Sequence, residues 1–166
     1  EKRRIELDTI IKAKKGNKKA IKQIVKENII QVYRLIFLHT KYEEDAKNIL
    51  RDTIDFIYEN FSKVDNEKII LWMYKIAIIN TNNFLKCNGM VEKNNSLNSY
   101  YYNNKIKMYE SIDLLDLKYR NVVILKCYFD LSYDEIGYIL DLNSDTVKIY
   151  FRQSLKNLKV NVGEGL

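Results

Sequence analysis

Apolar residues recur at a spacing of three or four along most of the chain, and this period limits the fold more than any other feature. Ile21, Ile24 and Val25 follow the spacing, and so do Val32 and Ile36. Residues three or four apart lie on one face of an α-helix, whereas a half-buried strand would alternate at every second residue. The sequence therefore predicts an all-α protein.

The helical spacing lapses once, between about Cys87 and Ser111. This segment is rich in Asn and Ser and contains a glycine, a composition that is typical of a connecting segment. We therefore expect two small helical domains, residues 1–86 and 112–166, joined by a flexible linker at 87–111.

The composition is that of a moderately basic globular protein. The 166 residues are 46% hydrophobic and 30% charged, with a formal net charge of +6, which excludes a disordered composition. No apolar run is long enough to cross a membrane, and the first residues lack the apolar stretch of a signal peptide. We expect a cytoplasmic protein with no membrane insertion.

The scarcity of histidine and glycine motifs excludes the common enzyme classes. His39 is the single histidine, so a multi-histidine metal site is excluded within one subunit, and a Ser-His-Asp triad or a Cys-His pair would have to use His39. The five glycines do not form a phosphate-binding loop. Cys87 and Cys127 lack CxxC spacing, and we expect them to be buried, reduced thiols. The sequence predicts no enzymatic activity, no cofactor and no metal.

Residues 132–159 have the pattern of a helix-turn-helix. Ser132 and Glu135 form a capping box for the first helix, and Gly137 would allow the two helices to approach closely. Ser144 is the expected N-cap of the second helix. This pattern favours duplex DNA binding by the second helix.

The two faces of that second helix follow from its period. The expected inner face is Val147, Phe151, Leu155 and Leu158. The opposite face would enter a major groove, with base contacts from its first turns and a phosphate contact from Lys156. The candidate DNA-binding residues are Thr146, Lys148, Ile149, Arg152 and Lys156. A helical hairpin with a solvated basic face is the alternative.

Residues 114–159 also resemble region four of the extracytoplasmic-function sigma factors of bacterial RNA polymerase. The stretch LSYDEI at 131–136 matches the start of the first helix in the family's helix-turn-helix, and Thr146-Val147-Lys148 matches the start of its recognition helix. The resemblance implies that this module binds the minus-thirty-five promoter element.

Residues 44–54, EDAKNILRDTI, resemble the region two helix with which the family binds core RNA polymerase. The period independently predicts a buried stripe that includes Ala46 and Ile49, with a polar face opposite to it. The core-polymerase contacts that the resemblance implies are Asp45, Asn48, Arg51 and Asp52. From the residues alone, a solvated surface is the expected interpretation of this face.

Residues 69–87 resemble the family's helix that lies on the minus-ten promoter element. The minus-ten DNA-binding residues that the resemblance implies are Lys75, Asn80, Asn83 and Lys86. Trp72 and Tyr74 could stack on bases, but their helical spacing favours packing in the core.

The resemblance implies an alternative sigma factor, which directs promoter-specific transcription initiation. Its partners would be core RNA polymerase, promoter DNA and an anti-sigma factor. The alternative is a free-standing helix-turn-helix regulator that binds duplex DNA without polymerase.

Overall fold

The computed structural model describes residues 7–64, 68–88 and 111–163. Within these ranges the regular structure is helical and contains no strand, so the all-α prediction is confirmed. The α-helices with both ends in these ranges are α1 (Leu7–Lys14), α2 (Lys18–Thr40), α3 (Glu43–Asn60), α4 (Ile69–Cys87), α5 (Leu117–Cys127), α6 (Tyr133–Leu140) and α7 (Ser144–Gly163). None of the described helices is long and apolar enough to cross a membrane.

The chain divides into two compact units, Glu1–Thr81 and Asn82–Leu166. The division falls inside α4, a few residues before the boundary that the sequence suggested. The predicted linker at 87–111 lies almost entirely outside the described residues, and it stays a prediction.

The N-terminal unit is built around α2, which packs against both α1 and α3. Asn17 caps α2 by accepting hydrogen bonds from the backbone N–H groups of Lys19 and Ala20, at 3.0 and 3.1 Å. The fully buried side chains of this unit include Ile24, Leu35, Ile36, Ile57, Phe61, Ile69 and Met73. His39 is also buried, and its Nδ1 is hydrogen bonded to the carbonyl oxygen of Leu35 at 2.8 Å. The single histidine therefore lies in the core and is hydrogen bonded within its own helix.

Two aromatic residues of α4 belong to the same core. The Trp72 ring meets the Phe61 ring edge to face, with 6.4 Å between the centroids. Tyr74 is 7% exposed, and burial raises the pKa of its hydroxyl. Tyr74 is therefore buried in the core, as its helical spacing favoured, and Trp72 is partly buried against it.

The C-terminal unit packs α5 and α6 against α7. Its buried side chains include Val122, Ile124, Leu125, Ile136, Ile139 and Val147. Arg120 is buried as well, and its guanidinium donates hydrogen bonds to the carbonyl oxygens of Asp113 and Leu115. Burial lowers the pKa of Arg120, against the opposing effect of the Asp113 charge. This arginine ties the residues before α5 to the helix itself.

A tight turn separates α6 from α7. The capping box of Ser132 and Glu135 opens α6, as predicted. The helix ends at Asp141, whose φ of 55° is left-handed, and the backbone N–H groups of Asp141 and Leu142 both donate to the carbonyl oxygen of Gly137. A Cβ on Gly137 would lie 2.5 Å from the carbonyl oxygen of Leu142. The glycine is therefore required by the turn backbone itself.

The N-cap of α7 is Asn143, so the prediction of Ser144 is wrong. The side-chain Oδ1 of Asn143 accepts the backbone N–H of Thr146 at 2.7 Å, and its carbonyl accepts the N–H of Val147 at 3.1 Å. Since α7 begins at Ser144, the residue before it has the cap position.

Both cysteines are free thiols and exposed, so the prediction of buried thiols is wrong. Cys87 and Cys127 are the last residues of α4 and α5, where fewer neighbours cover a side chain. The partial burial of the Cys127 sulfur raises its pKa, with Lys126 acting in the opposite direction. The Cys127 thiol therefore stays protonated at neutral pH.

We predict that Gly137→Ala destabilises the protein by about 1–3 kcal/mol, because the new methyl group meets backbone rather than a mobile side chain. In an unobstructed helix the same change would stabilise by about 0.5–1 kcal/mol. Urea unfolding, monitored by far-ultraviolet circular dichroism, gives the sign of the change in unfolding free energy and so distinguishes the two cases. A stabilised variant would contradict the close approach of Gly137 to the carbonyl oxygen of Leu142.

The cap assignment gives a second prediction. Asn143→Ala should lower the free energy of unfolding by about 1 kcal/mol, because the N–H of Thr146 loses its acceptor. Ser144→Ala is the matched control and should change it by less than about 0.5 kcal/mol. Urea unfolding of both variants is the measurement, and the reverse ranking would restore Ser144 as the cap.

Candidate nucleic-acid interface

The residues buried along one side of α7 identify the opposite side, which faces solvent. Val147 and Ser154 are fully buried, and Phe151 and Leu158 are partly buried. Leu155, expected on this inner face, is 40% exposed instead. Ser154 replaces it, since its hydroxyl donates to the carbonyl oxygen of Tyr150 at 2.6 Å and lies 3.3 Å from that of Tyr119 on α5.

An aromatic contact between α5 and α7 accompanies this arrangement. The rings of Tyr119 and Tyr150 meet edge to face with 5.5 Å between centroids, and the Lys118 ammonium lies 4.8 Å from the Tyr119 centroid. Periodicity alone could not distinguish the positions at Ser154 and Leu155, because both fit a helical spacing from Phe151. Packing against α5 selects Ser154.

The outer side of α7 brings together three of the five predicted DNA-binding residues. Ile149, Arg152 and Lys156 are exposed and lie opposite the buried side. Thr146 and Lys148 are partly buried and flank them. We call the three exposed residues, together with Thr146 and Lys148 at their edges, the α7 outer face.

An ion pair lies at the start of the α7 outer face. The Lys148 ammonium is 2.9 Å from Oδ1 of Asp145, in the first turn of the helix. The hydrogen bond and charge of Lys148 hold the pKa of Asp145 below its ordinary value, so its carboxylate is ionised at neutral pH. Asp145 is not among the residues predicted from the sequence, and its ion pair with Lys148 is a finding of the structure.

A second polar surface lies on α3 in the N-terminal unit. Ala46, Ile49 and Ile57 are buried, as the predicted stripe requires. Among the four predicted polymerase contacts, Asn48, Arg51 and Asp52 are exposed and Asp45 is partly buried at the edge. We call these four residues the α3 polar face.

The predicted minus-ten residues on α4 do not all share one side of the helix. Lys75, Asn83 and Lys86 lie on one side, around the exposed Ile79. Asn80 lies elsewhere, because its side-chain amide donates to the buried hydroxyl of Thr53 on α3 at 3.1 Å. The structure therefore brings three of the four together, and Asn80 instead joins α4 to α3.

The chain is similar to known proteins over most of its length. Residues 105–158 match the family model described as Sigma-70, region 4, which includes the whole turn between α6 and α7. The chain is 27% identical over 160 residues to the RNA polymerase sigma factor SigV of Bacillus subtilis (strain 168), which covers 92% of this chain and 96% of SigV.

Solved structures show the same fold at lower identity. CnrH, solved in complex with the cytosolic domain of CnrY, superimposes with a TM-score of 0.75 at 15% identity, over 95% of this chain and 97% of the other. The sigma factor RpoE, solved with the anti-sigma factor NepR from Bartonella quintana, gives 0.69 at 12% identity, over 87% and 98%. The region 4 match and the similarity to SigV confirm the resemblance to RNA polymerase sigma factors that the sequence indicated, and the solved structures confirm the fold.

Proposed function

We propose that this chain is an alternative sigma factor of the extracytoplasmic-function type, which binds core RNA polymerase and directs it to specific promoters. The observation that carries the proposal is the region 4 match at 105–158, on a helix-turn-helix whose second helix keeps Arg152 and Lys156 exposed. Such a protein works in the cytoplasm, where core polymerase transcribes.

The α7 outer face is the proposed contact with the minus-thirty-five element. Recognition helices place their first turns against base edges, which assigns Thr146, Lys148 and Ile149 to the bases. Arg152 can reach a guanine edge with a bidentate fork, and Lys156, further along the helix, suits a phosphate. Both cations are exposed, which leaves them accessible to DNA.

The exposed side of α4 is the proposed contact with the minus-ten element. Lys75 and Lys86 would hold phosphates, and the amide of Asn83 can hydrogen bond to a base that has left the duplex. The three residues share one side of a single helix. Asn80 holds α4 against α3 through its hydrogen bond to Thr53.

The mechanism consists of binding and strand separation, without covalent chemistry by the chain itself. Two weak DNA-binding modules on one chain raise each other's effective concentration, so that a promoter with both elements at the right separation is favoured. The α3 polar face would hold core polymerase, which supplies the catalysis of RNA synthesis.

An anti-sigma factor is the further partner that we propose. The two superimposed structures were solved as complexes, CnrH with the cytosolic domain of CnrY and RpoE with the anti-sigma factor NepR. The shared fold supports a similar partner for this chain. A free-standing regulator is the competing function, and it would need the α7 outer face but not the α3 polar face.

The α3 polar face provides the discriminating prediction. Replacing Asp45 and Asp52 together by Lys should abolish co-elution with bacterial core RNA polymerase on a sizing column at moderate salt, because the charge of the contact surface is reversed. The matched control replaces Asp8 and Glu27 by Lys, which makes the same change of charge at exposed positions of α1 and α2. This control should co-elute as the wild type does.

The competing function predicts a different elution. If the wild-type chain runs free of polymerase while it still retards duplex DNA, the chain is a free-standing regulator. Equal loss of binding in the control would show a response to net charge rather than to the α3 polar face.

The two exposed cations of α7 provide a further prediction. With holoenzyme and promoter duplex, Lys156→Ala should weaken binding for all sequences and reduce the slope of log affinity against log salt by about one. Arg152→Ala should cost about 1–3 kcal/mol and relax the preference at one base pair. Lys22→Ala, an exposed lysine on α2, is the control. Fluorescence anisotropy over a salt series measures both, and unchanged slopes and preferences would contradict the assigned roles.

A further inference from the structure

An isoleucine stands at the centre of the proposed DNA-facing side of α7. Ile149 is 60% exposed and lies on the side of the helix opposite the buried Val147 and Ser154. Single exposed apolar residues are common on protein surfaces, so exposure alone indicates nothing. The charged residues around Ile149 indicate instead which part of a bound DNA it would contact.

The neighbours of Ile149 are charged groups one and two turns away. Asp145 precedes it by four residues, while Arg152 and Lys156 follow it by three and seven. At a rise of about 1.5 Å per residue, Lys156 lies roughly 10 Å further along the helix axis. If Arg152 contacts a base edge and Lys156 contacts a phosphate, then Ile149 lies in the major groove between the start of the helix and Lys156.

The chemistry of the side chain then selects its contact. Isoleucine neither donates nor accepts a hydrogen bond, so it gains nothing from the polar edges of guanine, adenine or cytosine. In the major groove, thymine alone presents an apolar group, its C5 methyl. Covering that methyl with an aliphatic side chain removes both from water.

From this placement we infer that Ile149 is a specificity-determining residue that contacts a thymine C5 methyl in the bound promoter element. The inference rests on the proposed function of the α7 outer face and adds a base preference to it. A thymine is favoured at one position of the site because every other base leaves the isoleucine without an apolar partner.

Replacing thymine by uracil tests the contact, since uracil lacks the methyl and keeps every hydrogen-bonding group. Holoenzyme formed from the full chain and core RNA polymerase first selects duplexes from a random-sequence library. The selected duplex is then synthesised with deoxyuridine at one thymidine position at a time. We expect one position at which the wild type loses about two- to fourfold in affinity, the value of one buried methyl group, while the other positions have no effect.

Two variants connect that effect to Ile149. Ile149→Ala removes the aliphatic contact, so it should bind the thymine and uracil duplexes equally. Ile149→Val keeps a branched apolar side chain and should retain most of the discrimination. Because residue 149 is exposed, both variants should fold, which circular dichroism of the full chain verifies.

The outcomes separate this inference from the proposed function. If holoenzyme selects duplexes but uracil has no effect at any position, or if the effect persists unchanged in Ile149→Ala, the inference is wrong and the sigma-factor function stands. If the chain neither joins core polymerase nor selects a duplex, the proposed function fails and the inference fails with it.

Discussion

The direction of α7 depends on a close backbone approach between Gly137 and Leu142. The carbonyl oxygen of Gly137 accepts hydrogen bonds from the N–H groups of Asp141 and Leu142, and the carbonyl of Leu142 occupies the space where a Cβ would stand. Asp141 adopts the left-handed conformation that ends α6, and Asn143 immediately caps α7. Only three residues separate α6 from α7, so the backbone geometry of the turn sets the direction of α7, and packing against α5 then sets its rotation.

The proposed contact surfaces all lie opposite buried stripes, so they contribute little to the stability of the fold. Val147 and Ser154 hold α7 in place while Arg152 and Lys156 face away from the core, and α3 divides its residues in the same manner. This separation lets surface residues change while the helices keep their packing. The likeness to CnrH, with a TM-score of 0.75 at only 15% identity, is consistent with it.

Sequence reasoning succeeded where the determinants are local. Helical period predicted the all-α fold and the buried stripe of α3, and the capping box of Ser132 and Glu135 depends on residues three apart. It failed where tertiary contacts decide between equivalent local choices. Ser154 rather than Leu155 is buried because α5 lies against it. The amide of Asn80 donates to Thr53 of another helix, a contact that helical spacing alone could not show. Asn143 and Ser144 are both good capping residues, and only the helix start distinguishes them.

The central claim is that this chain gives core RNA polymerase a promoter specificity, and transcription in a purified system tests it most directly. Core polymerase would be incubated with a library of genomic fragments, with and without the chain, and the 5′ ends of the transcripts mapped. The account predicts discrete start sites that appear only with the chain and share two upstream elements at a fixed separation. Identical transcripts with and without the chain, from a preparation that binds duplex DNA, would contradict it.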